Sequence, residues 1–329
     1  MKAIVYSNYG SPDVLKCEEI EKPVARDDEV LIKVRAAAVN PVDLLFRGTS
    51  YMVRIMTGLR KPKETRIGHD VAGQVEAVGR NVTQFKPGDE VFGTCKGAFA
   101  EYVCASESAL VLKPDNVTFE QAAAVPIAAL TALQGLRLGG LGDKGQIQPK
   151  QKVLINGASG GVGTFAVQIA KSFGADVTGV CSTRNVDMVR SIGAKQVIDY
   201  TREDFTKSDQ HYDLILDCVG NHSLLAHRRA LNPNGVSVVA GAKGLWDFLT
   251  RALTAPVLSR LVSQKFVTFI AKLNKKDLTM MRELMATGKV TPVIDRRYSL
   301  SEVPEAIRYL EKRHARGKLV ITLGDNNKT

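Results

Sequence analysis

The chain is short of several things, and each shortage closes a line of interpretation. Its five cysteines (Cys17, Cys95, Cys104, Cys181 and Cys218) lie far apart, are odd in number and form no Cys-x-x-Cys pair. A disulfide framework needs an even, patterned set, so free thiols in a reducing, cytoplasmic setting are expected. No apolar run is long enough to span a bilayer, and the longest, residues 122–133, is broken by Pro126. The opening Met1-Lys2-Ala3-Ile4-Val5-Tyr6 reads as a first strand rather than a signal peptide. Positive charge is in excess, at a formal +11, yet it is scattered, with no long Lys/Arg run and no basic–aromatic interleaving. Nucleic acid is therefore not an expected partner, whereas phosphate-bearing cofactors and acidic lipid surfaces are compatible anions. Internal repeats and low-complexity segments are absent. The five histidines show no pairing that suggests a base, and no nucleophile–base constellation stands out.

What is present is most informative at Lys152-Val153-Leu154-Ile155-Asn156-Gly157-Ala158-Ser159-Gly160-Gly161-Val162-Gly163. An apolar strand runs into a glycine cluster that opens a helix, in which Val162, Phe165, Ala166, Ile169, Ala170 and Phe173 repeat at helical spacing. Gly174 sits where a C-cap glycine belongs. Such a turn lets the backbone approach a pyrophosphate, whose charge the helix N-terminus stabilises. The spacing Gly157-x-x-Gly160-x-x-Gly163 departs from Gly-x-Gly-x-x-Gly, but a strand before and a helix after supply the context a dinucleotide site needs.

At 329 residues the chain has room for two domains, each with its own core. The first third reads as short strands with Pro/Gly punctuation: 30–38, 70–78, 90–93 and 99–104, with Lys86-Pro87-Gly88-Asp89 as a turn. Thr118-Phe119-Glu120-Gln121 has the form of a capping box, and one Ala/Leu-rich helix is expected from it through Leu133. Residues 139–150 read as a polar loop. Strands at 153–156, 176–181, 196–200, 214–218 and 236–240 then alternate with helical stretches, which implies a parallel sheet with right-handed crossovers. Asn232-Pro233-Asn234-Gly235 is a turn signal, 276–288 reads as helix, and 318–322 as a closing strand.

Together these features resemble the medium-chain dehydrogenase/reductase superfamily and, within it, the zinc-independent quinone oxidoreductase branch. The matching segments are Asn40-Pro41-Val42-Asp43, Gly68-His69-Asp70-Val71-Ala72-Gly73, Phe85-Lys86-Pro87-Gly88-Asp89-Glu90-Val91, Ala129-Leu130-Thr131-Ala132, the 157–163 turn, Gly193-Ala194 with Val197-Ile198-Asp199-Tyr200, and Gly317-Lys318. They fall in the same order over nearly the whole chain. The resemblance implies an α/β protein with a GroES-like, β-rich substrate domain (1–125 and 291–329). A Rossmann, doubly wound parallel-sheet nucleotide domain (126–290) would be inserted into it, with the substrate in the cleft between the two and a homodimer formed by sheet-edge pairing.

Zinc alcohol dehydrogenases of this superfamily hold their metal with a Cys, a His and a further thiol or carboxylate. Here Asn40 matches the Cys position, and an amide offers neither the charge nor the softness of a thiolate. The four-cysteine structural zinc lobe is missing too. No metal is expected, and His69 reads as a hydrogen-bonded cleft or core histidine.

For the cofactor, the second nucleotide-domain strand ends in Cys181-Ser182-Thr183-Arg184, with no carboxylate to bind a ribose 2′-hydroxyl. Ser182, Arg184 and, by resemblance, Tyr200 suit a 2′-phosphate, so NADPH is expected. Asp187 is read as a helix N-terminal residue. The resemblance adds Asn40, Thr131, Ser159, Gly160, Gly161, Val162, Val219, Gly241 and Lys318 to the cofactor contacts.

Without a metal the substrate must already be electrophilic, as quinones and α,β-unsaturated carbonyl compounds are. Asn40 is the candidate to hydrogen-bond the nicotinamide ribose or the substrate oxygen; Asp43 either orients that loop or is purely structural. The family's Tyr after Asn-Pro-x-Asp is replaced here by Leu44-Leu45-Phe46, which leaves Tyr51 as a distant alternative and no assigned proton donor. Enoyl thioester reduction and non-catalytic NADPH binding are the competing readings. The basic amphipathic segment 245–276 is read as covering the cleft or a subunit interface, in preference to peripheral membrane contact. Residues 49–64 are read as a pocket-shaping loop.

Overall fold

The computed structural model describes residues 1–48, 51–140, 150–241 and 244–324. Its strands in chain order are β1 (Lys2–Val5), β2 (Lys16–Glu19), β3 (Glu29–Val39), β4 (Asp70–Val78), β5 (Glu90–Thr94), β6 (Tyr102–Ser106) and β7 (Leu110–Leu112). They continue as β8 (Lys152–Asn156), β9 (Asp176–Cys181), β10 (Gln196–Asp199), β11 (Tyr212–Asp217), β12 (Leu231–Val239), β13 (Lys265–Thr268), β14 (Ile294–Ser299) and β15 (Lys318–Thr322). The chain divides into two compact units, one of residues 1–127, 273–287 and 292–329, the other of residues 128–272 and 288–291.

In the first unit a seven-stranded sheet runs in the order β14-β15-β3-β4-β5-β7, with β6 also pairing β3. The eleven-residue β3 holds it together because it bonds three neighbours, β4, β6 and β15. Ile32, Val71, Val91, Phe99, Val103 and Ile321 form its core with Ile4 of β1, as the opening strand pattern implies. The last described strand thus returns beside the longest one: β15 pairs antiparallel with β3, Leu319 opposite Val39.

The second unit is a six-stranded sheet ordered β10-β9-β8-β11-β12-β13, every neighbour parallel. Counted within this unit the order is 3-2-1-4-5-6, the doubly wound arrangement whose direction of winding reverses between β8 and β11. Its central strands read as near-continuous apolar runs, Val153-Leu154-Ile155 and Leu214-Ile215-Leu216, because both faces are covered. The helix Gly161–Ser172 buries Phe165, Ala166, Ile169 and Ala170 completely, in agreement with its spacing. Asp187 lies in the first turn of the helix Val186–Ser191.

Several sequence expectations change in detail. The Thr118 capping box forms, but its helix stops at Ala123 and a second helix, Pro126–Leu138, begins at the proline. Proline has no amide to donate and fits a first helical turn, so it starts a helix where it would break one. The Asn232–Gly235 turn lies inside β12 as a bulge, with Asn234 at φ 65° and the register to β11 shifting past it. Residues 51–57 form a helix within the expected loop. Segment 245–276 is not one amphipathic unit: the helix Leu245–Leu261 gives way to the edge strand β13. Most of the expected 139–150 loop lies outside the described residues.

Candidate functional site

The glycine turn follows β8 at the reversal point of the six-stranded sheet, where doubly wound folds bind ligands. Gly157 has φ +84°, a left-handed conformation that a side chain would strain. Gly163 is required by proximity, since a Cβ there would lie 2.1 Å from the Gly157 carbonyl oxygen. Gly160 is the N-cap of the following helix and offers no side-chain oxygen to its first amides. The amides of Gly161, Val162 and Gly163 have no acceptor within the helix, and Ser159, Gly160, Gly161 and Val162 keep partial access to solvent. That is a cradle for an anion, and the aligned backbone dipoles favour one there.

A buried network braces the turn from beneath. Asn156 Nδ2 donates to Asp217 Oδ1 (2.8 Å) and to Asn221 Oδ1 (2.8 Å). Asp217 Oδ1 also accepts the amides of Val219 (3.0 Å) and Gly220 (2.9 Å), which fixes the loop after β11 beside the glycine turn. Val219 packs where a Gly157 side chain would stand, and a Cβ on Gly241 would lie 2.3 Å from the Cys218 carbonyl. His227, wholly buried with Nε2 3.5 Å from Asp217 Oδ2, has its pKa pushed down to about 4 by burial, against the pull of Asp217. It is therefore a neutral core histidine at physiological pH.

At the end of β9, Asn185 Nδ2 donates to both Ser159 Oγ (3.0 Å) and Ser182 Oγ (3.2 Å), tying the glycine turn to the residues expected to read the adenosine ribose. Asn185 Oδ1 is buried with no hydrogen-bond partner. Arg184 is exposed in the short turn Thr183–Asn185, and Tyr200 is 59 % exposed just past β10. The sequence reading that no carboxylate comes near needs correction: Asp199, from β10, accepts the Thr183 hydroxyl at 2.5 Å. Hydrogen bonds from Thr183 and Thr201, with Arg202 nearby, hold that carboxyl below its usual range. Thr131 sits half-buried on the helix Pro126–Leu138.

The first unit carries a second polar cluster, in its core. Asn40, Asp43, Asp70 and Lys318 are each 3 % exposed or less. Lys318 Nζ donates to Asn40 Oδ1 (2.5 Å) and the Val39 carbonyl (3.2 Å) and lies 3.8 Å from Asp70 Oδ2. Asn40 Nδ2 donates to Asp70 Oδ2 (2.9 Å) and the Ala38 carbonyl (3.2 Å). The Asn40 side-chain amide is thus held within the protein on both its nitrogen and its oxygen. Lys318 likewise stands with Asn40 and Asp70.

Asp43, in the short helix Pro41–Arg47, accepts the Asn40 amide on Oδ2 (2.7 Å) and faces His69 Nδ1 with Oδ1 (2.7 Å). Burial raises the Asp70 carboxyl to about 6 against the pull of Lys318, and burial holds the Lys318 ammonium below its usual value. The hydrogen bond to Asp43 raises His69, and burial pushes the nearby Cys95 thiol far up. Tyr51 is 69 % exposed and makes no hydrogen bond to this cluster. Among the described residues no group of three or more His, Cys, Asp or Glu side chains is arranged to hold a metal ion.

Known proteins with this architecture place the chain. Residues 26–115 match the family described as alcohol dehydrogenase GroES-like domain, and residues 192–321 the family described as zinc-binding dehydrogenase. The chain belongs to the medium-chain dehydrogenase/reductase superfamily, with a GroES-like domain and a parallel-sheet nucleotide-binding domain. Within it, the chain falls in the quinone-oxidoreductase-like branch. It is 36 % identical over 336 residues to 2-methylene-furan-3-one reductase of Solanum lycopersicum, covering 98 % of this chain and 79 % of that one. The same identity and coverages hold for the chloroplastic NADPH-dependent alkenal/one oxidoreductase of Arabidopsis thaliana. Among solved structures, the quinone oxidoreductase from Coxiella burnetii superposes with a TM-score of 0.85 at 31 % identity, over 98 % of this chain and 99 % of that one.

Proposed function

We propose that this chain is an NADPH-dependent reductase of quinones and α,β-unsaturated carbonyl compounds that works without zinc. The observation that carries the reading is the uncapped helix N-terminus at Gly160–Gly163, joined through Asn185 to Ser159 and Ser182. The amides of Ser159, Gly160, Gly161 and Val162 would hold the pyrophosphate, with Ser182, Arg184 and Tyr200 about the 2′-phosphate and Val219 and Gly241 beside the turn. A buried acceptor without a partner, Asn185 Oδ1, suits a site that a ligand's hydroxyl completes. Bound NADPH supplies a hydride; the protein supplies orientation and a place for negative charge to develop. Asn40, Asp43 and Lys318 shape the first unit's polar core, and Thr131 is proposed near the nicotinamide.

Working without zinc is supported by what stands at the matching position. Asn40 accepts from an ammonium, and the Lys318 charge beside Asp70 satisfies a carboxylate that a divalent cation would otherwise attract. With no metal to polarise a carbonyl, an electron-poor alkene or quinone is the better hydride acceptor. The names of the relatives, an alkenal/one oxidoreductase and a quinone oxidoreductase, agree with that chemistry.

A cytoplasmic setting is proposed on the five unpaired thiols. No helix among the described residues is long and apolar enough to cross a membrane. A homodimer is proposed through the open edge at β13. Trp246, Leu253, Val257 and Leu261, more than half exposed on one helix, support a protein interface there in preference to a lipid one. Light scattering and sedimentation with anionic vesicles test these points.

NADPH consumption with a quinone, an enone and an enoyl-CoA tests the function. Turnover of the first two is expected. Turnover of the thioester alone would make the chain an enoyl thioester reductase, and binding without turnover would make it a non-catalytic NADPH-binding protein.

A further inference from the structure

His69 is the one titratable side chain of the first unit's polar cluster with substantial access to solvent: its side chain is 35 % exposed, while Asp43 beside it is 0 % exposed. The two ring nitrogens differ. Nδ1 is 2.7 Å from Asp43 Oδ1, whereas Nε2 makes no hydrogen bond to any described residue. Asp43 cannot turn away, because its other oxygen holds the Asn40 amide at 2.7 Å. A buried carboxylate that fixes one imidazole nitrogen and leaves the other open is the arrangement that sets tautomer and orientation in proton-transfer sites. Asn40, which the carboxylate also holds, is in turn clamped by Asp70 and Lys318, so the dyad rests on a rigid base.

We infer that His69, oriented by Asp43, is the general acid that delivers a proton from Nε2 to the oxygen of the substrate anion left by hydride addition. The inference rests on the proposed enone and quinone reduction and supplies the proton donor that the residues following Asn40-Pro41-Val42-Asp43 do not. When hydride forms a C–H bond at the β-carbon of an enone, the π pair moves onto the carbonyl oxygen and an enolate results. The Nε2–H bond breaks, an O–H bond forms, and the enol relaxes to the ketone in water. Neutral imidazole then regains a proton from solvent. One enone, one hydride and one proton yield one saturated ketone.

The charges facing His69 favour its protonated ring. Asp43 from the 41–47 helix and Asp70 from β4 raise its pKa, while burial and Lys96, just after β5, oppose them. A donor pKa near the working pH is what general acid catalysis requires. Both substrate classes need it, because the enolate oxygen and the hydroquinone oxygen left by hydride addition are conjugate bases of hydroxyls of similar acidity.

The test uses His69→Gln in the full chain, with NADPH affinity by calorimetry as the check on folding. The inference expects unchanged NADPH affinity, a loss in kcat of about a hundredfold on an enone and on a quinone, and disappearance of the fall in rate as pH rises through the His69 pKa. In the apoprotein, the imidazole C–H resonance of His69 should titrate above 6.5 and move down in Asp43→Asn. Enone turnover and an alkaline limb that both survive in His69→Gln overturn it, as does a His69 titration at or below 6.5. If the wild-type chain turns over neither substrate, the proposed function itself fails, and the inference falls with it before any variant is made.

Discussion

The Lys318 ammonium donates to Asn40 Oδ1 at 2.5 Å inside the core of the first unit. The Asp70 carboxylate lies 3.8 Å from the same nitrogen, so three side chains from three strands or strand ends share one buried charge balance. Removing one member of such a set leaves the others desolvated and unpaired, which costs more than the pair contributes when intact.

Lys318→Met should therefore destabilise the protein by about 3–5 kcal/mol. Adding Asp70→Asn should restore part of that loss, because the orphaned charge goes with it. Denaturant unfolding of the two single variants and the double variant measures the coupling directly. Additive losses would mean that the two side chains do not interact.

Asp70 also gives stability a pH dependence of unusual sign. Its folded pKa, about 6, lies above the ordinary 3.8, so the folded protein binds a proton that the unfolded chain has released. Its contribution is full below 3.8 and is lost as pH rises through about 6. The effect is at most about 3 kcal/mol. Subtracting the stability–pH curve of Asp70→Asn from that of the wild type isolates it from the exposed carboxylates, such as Glu302 and Asp13, whose lowered pKa values act in the opposite direction.

Gly163→Ala should abolish tight dinucleotide binding. The new methyl would sit 2.1 Å from the Gly157 carbonyl oxygen and 2.8 Å from Ala158 Cα, so the turn itself must open. A cost of about 1–3 kcal/mol is expected in stability, with at least a roughly tenfold rise in the NADPH Kd. Gly244→Ala, in extended backbone with nothing within 4 Å of the added atom, is the control and should leave both unchanged.

Arg184→Ala should lower the preference for NADPH over NADH by about 10–100-fold, the worth of a charge-assisted hydrogen bond to phosphate. Asp199→Asn should leave the preference in place, because that carboxylate is already taken up by Thr183 and Thr201. Steady-state kinetics with both dinucleotides separates the outcomes. A loss of preference in Asp199→Asn alone would move the specificity determinant to β10.

Much of this architecture is legible because it is written locally. The run from Lys152 to Phe173 encodes strand, turn and helix within one stretch, and the apolar parallel strands announce themselves the same way. What could not be read depends on partners distant in sequence. Lys318 stands out in the sequence only by resemblance, and its place beside Asn40 appears only when β15 pairs with β3. Asp43 and His69 are 26 positions apart, and although each is marked in the sequence, only the fold joins them into a dyad. Asn185, which links Ser159 to Ser182, carried no signal beyond its place after Arg184. The edge strand β13 was missed for another reason: four residues starting with Lys265 are too few for alternation to show against a basic, apolar background.

The central claim is hydride delivery to the β-carbon of an activated alkene without a metal. Chelator-treated protein given an enone and NADPH carrying deuterium at the transferable position tests it most directly. The account predicts a saturated ketone with deuterium at the β-carbon and a solvent-derived hydrogen at the α-carbon. An allylic alcohol labelled at the carbonyl carbon, or turnover only after zinc is restored, would contradict it.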